Sequence, residues 1–403
     1  MKIVTAVAPV NIAVIKYWGK RDEKLILPIN DSLSATLSTD VMCAKTTILT
    51  SPDLKENKFW LNGKEQSFDN VRLKNCLTES KLNYNKYIFA LILIIFLVKK
   101  RCNSTLPYIN WKIAICSENN FPTAAGLASS AAGYACLVYA LAALYEIDGE
   151  ISDIARLGSG SACRSVYGGW VRWQKGILSS GEDSIARPIA SASHWPEMRV
   201  LVLVVNDNQK KYGSTIGMNH SVETSTLIRY RSESVIPQRI EEINKAILER
   251  NFHKFAEITM KDSNQFHAIC LDTYPPCIYM NDVSHAIVNL VHHYNTYKEE
   301  NKVAYTFDAG PNACIYLLES VLQEFLSIVN YIFPKPMDIK ANDYFKGLPL
   351  DQTIIKKELM DDLNLTQNNE GVLKYLICTK VGEGPRLLTS SNEHLLQENG
   401  LPK

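Results

Sequence analysis

The residues best suited to chemistry stand where the character of the chain changes abruptly. Asp308 closes an apolar strand candidate and opens the turn of Tyr305-Thr-Phe-Asp-Ala-Gly-Pro-Asn312. A strand end can aim that carboxylate into a cleft, although aspartate is equally a former of such turns. Arg164 is the single charge of Gly158-Ser-Gly-Ser-Ala-Cys-Arg-Ser-Val-Tyr-Gly-Gly169, a setting that suits bidentate capture of a carboxylate by the guanidinium fork. A flexible connector carrying a surface arginine would read the same way. In Ala8-Pro-Val-Asn-Ile-Ala-Val-Ile-Lys-Tyr-Trp-Gly-Lys-Arg21 an apolar strand delivers Asn11, Lys16, Lys20 and Arg21 together. Asn11 both donates and accepts, so it can orient a carboxylate or hydroxyl; a solvated basic turn is the plain alternative.

The segment Asn119-Asn-Phe-Pro-Thr-Ala-Ala-Gly-Leu-Ala-Ser-Ser-Ala-Ala-Gly133 runs from a strand through a small-residue turn into a helix. Gly126 lets main-chain N–H groups turn toward an anion, the helix dipole adds roughly half a positive charge, and Ser129 and Ser130 place hydroxyls on the first turn. Close packing of an alanine-serine helix would call for the same residues. No lysine follows the glycine at Walker A spacing, so positive charge must come from elsewhere, and Lys16, Lys20 and Arg21 can supply it. Ser214, Thr215 and Met218 in Tyr212-Gly-Ser-Thr-Ile-Gly-Met218 suggest a lesser hydroxyl-rich anion loop.

These segments need a scaffold of matching size. The 403 residues exceed the ~250–300 at which single cores stop growing, which predicts two lobes sharing a cleft. A proline-bearing, small-residue stretch at Ser191-Ala-Ser-His-Trp-Pro-Glu197 places the boundary between lobes at 1–197 and 198–403. Strand patterns run over Lys2–Ala8, Cys43–Leu49, Ile109–Cys116, Arg199–Val205, Ala304–Phe307, Ala313–Leu317 and Tyr375–Val381. Helical patterns run over Leu127–Tyr145, Ser152–Arg156, Pro237–Glu249, Phe252–His267, Asp282–Tyr294 and Val321–Tyr331. Their irregular order predicts an α+β fold with helices on one face of each sheet. The formal charge of +1 gives no reason for broad nucleic-acid binding. Ten scattered cysteines without C-x-x-C or zinc spacing indicate neither a disulfide framework nor a structural metal, and fit a reducing cytosol. Pro9, Asn11 and Lys16 interrupt the N-terminal apolar stretch, which reads as a buried strand and not a signal peptide. The apolar run Ile88–Val98 would span roughly 16 Å as a helix, about half a bilayer core, so no membrane partner is expected.

Pro-x-x-x-Gly-Leu-x-Ser-Ser from Pro122 to Ser130 resembles the phosphate loop of the GHMP superfamily of small-molecule kinases. Asn-Ile-Ala-Val-Ile-Lys-Tyr-Trp-Gly-Lys, Gly-Ser-Gly-Ser-Ala-Cys-Arg-Ser, Met-Lys-Asp-Ser-Asn-Gln-Phe-His and Asp-Ala-Gly-Pro-Asn, in that order, are similar to the mevalonate diphosphate decarboxylase family. The likeness runs from Ala8 to the terminal Gly-Leu-Pro-Lys. It implies a GHMP-kinase-like two-lobed α+β fold, with a ribosomal-protein-S5-domain-2-like N-terminal lobe and a ferredoxin-like C-terminal lobe. The implied reaction is ATP-dependent decarboxylation of diphosphomevalonate to isopentenyl diphosphate in the mevalonate, isoprenoid and sterol pathway, after phosphorylation of the tertiary hydroxyl. By the same resemblance Asp308 faces that hydroxyl, Arg164 and Asn11 hold the carboxylate, and Ser130 touches the transferring phosphate. Lys16, Tyr17, Trp18, Gly19, Lys20, Arg72, the loop Ser159, Gly160, Ser161, Ala162 and Cys163, and Ser214 with Thr215 hold the rest of the substrate. Pro122, Gly126, Leu127, Ala128, Ser129 and Ser130 cradle the nucleotide phosphates, with Mg2+ carried by ATP and no all-protein metal site. A cytoplasmic homodimer is the implied setting. The rival readings are a superfamily kinase that stops after phosphorylating mevalonate or phosphomevalonate, and a catalytically silent nucleotide-binding member. Between Thr78 and Pro107 the chain departs from the family, carrying an apolar run in place of a basic, polar helix and loop; a poorly packed helix there would destabilise the N-terminal lobe.

Overall fold

A computed structural model describes residues 1–66, 79–121, 129–206, 213–350 and 365–403, with 79–89 as main chain alone. The first lobe holds a six-stranded sheet in the order Arg386–Leu388, Lys2–Pro9, Cys43–Ser51, Lys112–Asn119, Lys58–Leu61 and Lys64–Gln66. All its pairings are antiparallel except that of Lys58–Leu61 with Lys112–Asn119. Beside it a four-stranded sheet runs Ala186–Ala190, Trp170–Trp173, Ser32–Thr36 and Asn11–Ile15. The helix Ser129–Leu144 covers the larger sheet. It is buried on nearly every side, and its small residues Ala131, Ala132 and Ala135 let main chains approach closely. Cys136 accordingly donates its thiol to the Ala6 carbonyl at 3.2 Å.

The second lobe is a five-stranded sheet, Val303–Phe307, Ala313–Leu318, Met198–Val204, Tyr375–Lys380 and Phe345–Gly347. Met198–Val204 is central, and beyond Arg199 it is apolar and buried on both faces, as a covered strand must be. Helices Phe252–Asp272, Asp282–Tyr297 and Glu319–Ile332 pack on this sheet. Their starts are set by local chemistry. The Asn251 side chain accepts from Lys254 N, and Asn281 with Ser284 forms a reciprocal capping box. One continuous core joins the two lobes, from Ala6 through Trp170 to Val381.

The strand expected at Ile109–Cys116 begins three residues later, because Ile109 and Trp111 bond back to Leu106 and Tyr108 in tight turns. The central strand Met198–Val204 of the second sheet begins just after Pro196, and the chain later returns to the first sheet. Arg386–Leu388 returns to pair with Thr5–Val7, and Leu396 packs against Leu49, Trp60 and Ala114. The apolar run Ile88–Val98 lies in the helix Glu79–Arg101. Leu91, Ile94 and Val98 are fully buried, and Arg101 pairs with Asp153 on the neighbouring helix Ser152–Gly158. Each buried aliphatic side chain of this face contributes ~1.5–3 kcal/mol, while Phe96 is 61% exposed. Among the described residues no helix is long and apolar enough to cross a membrane.

Candidate active site

Strand Asn11–Ile15 organises the site, because its two ends carry Asn11 and, just beyond, Lys16. Lys16 Nζ lies 2.6 Å from Asp308 Oδ1; the lysine side chain is 3% exposed and the aspartate 30%. The carboxylate therefore presents the open side of the pair. Asp308 follows strand Val303–Phe307, and Gly310 N donates to its carbonyl at 2.7 Å. Asn312 fixes the same turn by accepting from Val205 N and Asn206 N at 2.8 and 2.9 Å. Lys16, expected on phosphate, thus has its ammonium on Asp308.

Arg164 sits in the short helix Ala162–Ser165 and is 2% exposed. Its Nε donates to Asn11 Oδ1 at 3.2 Å and its Nη1 to Ser32 Oγ at 2.6 Å, over the face of Trp173. Burial pushes its pKa below the ordinary value, opposed by the nearby Cys163, Asp308 and Tyr17; a guanidinium stays charged regardless. Asn11 donates to Ser161 O at 3.0 Å and Ser165 Oγ at 2.7 Å. Both donors of its amide are thus taken by protein and its Oδ1 accepts from Arg164, so in this structure it orients the guanidinium.

The amino end of helix Ser129–Leu144 reaches this group through Ser130 Oγ, 3.3 Å from Ser159 Oγ. Ser159 opens the loop whose Ser161 carbonyl meets Asn11. Gly160 has no room for a side chain, since a Cβ would stand 2.8 Å from the Tyr17 ring. Tyr17 stacks 4.6 Å from Trp173, and its buried hydroxyl has no protein partner among the described residues. Burial raises that phenol's pKa far above the ordinary value, so it remains a donor. Gly19 turns the chain with φ +91°, a left-handed conformation that glycine adopts without cost.

The remaining expected contacts have the following surroundings. The Trp18 ring is buried against Phe266 and Tyr279 and donates to Ser221 Oγ at 2.8 Å, so it anchors the second lobe. Ala162 and Cys163 are core residues, and burial pushes the Cys163 thiol up to about 12. Lys20 pairs with Glu23 at 3.0 Å. Ser214 and Thr215 open the helix Ser214–Thr224, where a loop was expected. Arg72, Pro122, Gly126, Leu127 and Ala128 lie outside the described residues.

Ser32 and Arg231 escaped the sequence reading, and Asp262 and His267, although inside the quoted motif Met260–His267, were given no role in it. Asp262, Ser263, Phe266 and His267 share the buried face of helix Phe252–Asp272 with Ile258 and Thr259. Polar residues at core positions of an amphipathic helix were the available signal. His267 packs edge-on to Phe307, with Nε2 buried and without a hydrogen-bond partner among the described residues. Burial, helped by the charge of Lys16, lowers its pKa from 6.5 to about 4, so the ring is neutral. A depressed native pKa costs stability as pH falls, because the unfolded chain takes up a proton that the fold refuses. Between about pH 6.5 and 4 the loss attributable to His267 reaches on the order of 3 kcal/mol. Denaturant unfolding near neutral pH and near the lower limit should therefore show a larger acid loss for the unaltered protein than for His267→Gln. Equal losses would remove this residue from the acid sensitivity.

A strand-aimed aspartate, a buried guanidinium and a serine-bearing helix start, held between two α+β lobes, define a protein of the GHMP-kinase type. Residues 8–186 match the diphosphomevalonate decarboxylase-like N-terminal domain, and 200–388 the mevalonate 5-diphosphate decarboxylase C-terminal domain. The chain is 53% identical to diphosphomevalonate decarboxylase of Danio rerio, over 100% of its own length and 97% of that protein. It superposes on mevalonate diphosphate decarboxylase from Trypanosoma brucei with a TM-score of 0.80 at 35% identity, covering 97% of this chain and 99% of the other. A further solved neighbour, MDDEF in complex with MVAPP, AMPPCP and magnesium, is 28% identical with a TM-score of 0.71, covering 96% and 99%. The chain belongs to the mevalonate diphosphate decarboxylase family.

Proposed function

We propose that this protein catalyses the ATP-dependent decarboxylation of diphosphomevalonate to isopentenyl diphosphate, with release of ADP, phosphate and CO2. The observation that supports this reading is that strand Asn11–Ile15 carries Asn11, which meets Arg164, and leads into Lys16, which meets Asp308, whose charge also acts on Arg164. Asp308 takes or orients the proton of the tertiary hydroxyl as that oxygen attacks the γ-phosphoryl group. Arg164 holds the substrate carboxylate, using Nη2, which bonds no described residue. When phosphate departs, the carbon–carboxylate bond supplies the electron pair of the new alkene and CO2 is lost. Little covalent work falls to the protein, so positioning and charge placement dominate.

Tyr17 offers its unpartnered hydroxyl to a substrate oxygen, and Lys20 lies close enough in sequence to serve the diphosphate end. Ser130 meets the transferring phosphate at the helix start, where main-chain donors and the dipole favour anions. Magnesium bound with ATP would neutralise phosphate charge, and the hydroxyls of Ser129 and Ser130 are oxygen donors of the kind it accepts. Ser130→Ala is expected to lower kcat about tenfold or more with little change in the KM for ATP; an unchanged kcat at saturating ATP would remove its role. Work as a cytoplasmic homodimer, free of membrane and nucleic-acid partners, belongs to the same reading, and the net charge of +1 supports the last of these.

The test is incubation with diphosphomevalonate and MgATP while ADP and CO2 are measured together. Equal amounts support the decarboxylase. ADP without CO2 would make the chain a kinase, and the absence of both a silent nucleotide binder.

A further inference from the structure

Lys16 stands immediately beyond the end of strand Asn11–Ile15. Side chains, mostly from the other lobe, take over the bonding of its peptide groups. Lys16 N donates to Asp262 Oδ2 at 2.8 Å, and Lys16 O accepts from Arg231 Nη2 at 3.3 Å and Asn30 Nδ2 at 3.2 Å. Arg231 also meets both oxygens of Asp262, at 2.8 and 2.9 Å, and Arg239 Nη1 approaches Oδ1 at 3.1 Å. The Asp262 carboxylate thereby accepts four donors, which is its full capacity. Gln265 Oε1 accepts from both arginines at 2.8 Å and locks their planes.

We propose that the Arg231–Asp262 pair is a positioning device that grips the Lys16 peptide and so sets where Lys16 Nζ holds Asp308. The proposal rests on the decarboxylase reading for its consequence in catalysis.

Two further facts favour this over a simple tie between lobes. Both charges are withdrawn from water, with Arg231 1% and Asp262 0% exposed. Desolvation of that degree cancels most of what such a pair adds to stability, and apolar residues of similar volume would serve at least as well for cohesion. Arg231 also opens the π-helical turn Arg231–Val235, between helices Leu227–Tyr230 and Ile236–Leu248. Such widened turns recur at functional sites, where they re-aim a side chain. Here the side chain aimed inward is the one that meets Lys16.

A double-mutant cycle with a labelling readout tests the device. In the full-length protein Asp262→Asn removes the charge while keeping the volume. It should lower kcat about 10–100-fold, the scale of a reacting group displaced by about 1 Å. In a Lys16→Met background the same change should cost less than about threefold, because residues acting through one another are not additive. Acylation of Lys16 by acetic anhydride, followed by mass spectrometry without substrate, should be about tenfold faster in Asp262→Asn, since the released side chain gains access to water and to the reagent as its free amine. Equal losses in both backgrounds, or unaltered labelling, would overturn the proposal. If Asp262→Asn does not fold, Arg231→Lys carries the same measurements, since it keeps a cation but cannot form the fork. Absence of CO2 from the unaltered protein would overturn the decarboxylase reading, while the labelling still judges the grip on Lys16.

Discussion

Asp308→Ala is expected to lower the rate of CO2 release at least ~100-fold, with ADP formation falling in parallel. Two effects act together. The substituted chain has no oxygen to take or orient the hydroxyl proton, and it leaves the ammonium of Lys16, 3% exposed, without its partner at 2.6 Å. A lone buried cation is costly, but Asp308 is itself 30% exposed, so water can approach Lys16 and the loss of stability should stay within about 1–3 kcal/mol. Asp308→Asn separates the two effects, because it retains an oxygen for Lys16 while losing the charge and the basicity. Its activity should stay near that of the alanine variant while its melting temperature recovers. Near-normal CO2 release by Asp308→Ala would reject the assigned role.

Arg164→Gln should cost a similar factor, at least ~100-fold in kcat/KM for the diphosphomevalonate substrate. Glutamine can replace one donor of the fork but neither its charge nor its paired geometry. Asn11 Oδ1 and Ser32 Oγ, which now accept from Nε and Nη1, would lose those donors in a buried setting. Arg164→Lys should not restore activity, since a point charge on a flexible stem cannot serve Asn11, Ser32 and a carboxylate at once. Because Arg164 is proposed to hold the substrate, its variants should raise the substrate KM more than the KM for ATP. Turnover by Arg164→Gln within a fewfold of the unaltered protein would place carboxylate binding elsewhere.

The expected losses differ in origin, and that difference separates what local sequence discloses from what it hides. The apolar strand patterns at Lys2–Ala8 and Arg199–Val205 and the helical pattern at Asp282–Tyr294 lie within a few residues of the observed Lys2–Pro9, Met198–Val204 and Asp282–Tyr297, because composition and periodicity are settled within a few residues. The residue types at Asp308, Arg164 and Ser130 were legible for the same reason: each stands where a strand or small-residue loop changes into something charged or hydroxylated.

Which groups these residues meet was not legible. Lys16 finds Asp308 across 292 positions and Asp262 across 246, while Arg164 finds Ser32 across 132. Nothing in a lysine-bearing turn says that its ammonium is turned inward to a carboxylate, or that the neighbouring Trp18 leaves the site to pack on Phe266. The return of Arg386–Leu388 to the first sheet is equally silent in the sequence, because a three-residue strand has little pattern and takes its register from the edge it joins. The sequence by itself determined the elements, the chemistry-bearing residue types and the family resemblance. Only the tertiary structure decided which charges are spent on each other and which remain for a substrate, since burial and partner choice are set by sheets and helices brought together from distant parts of the chain.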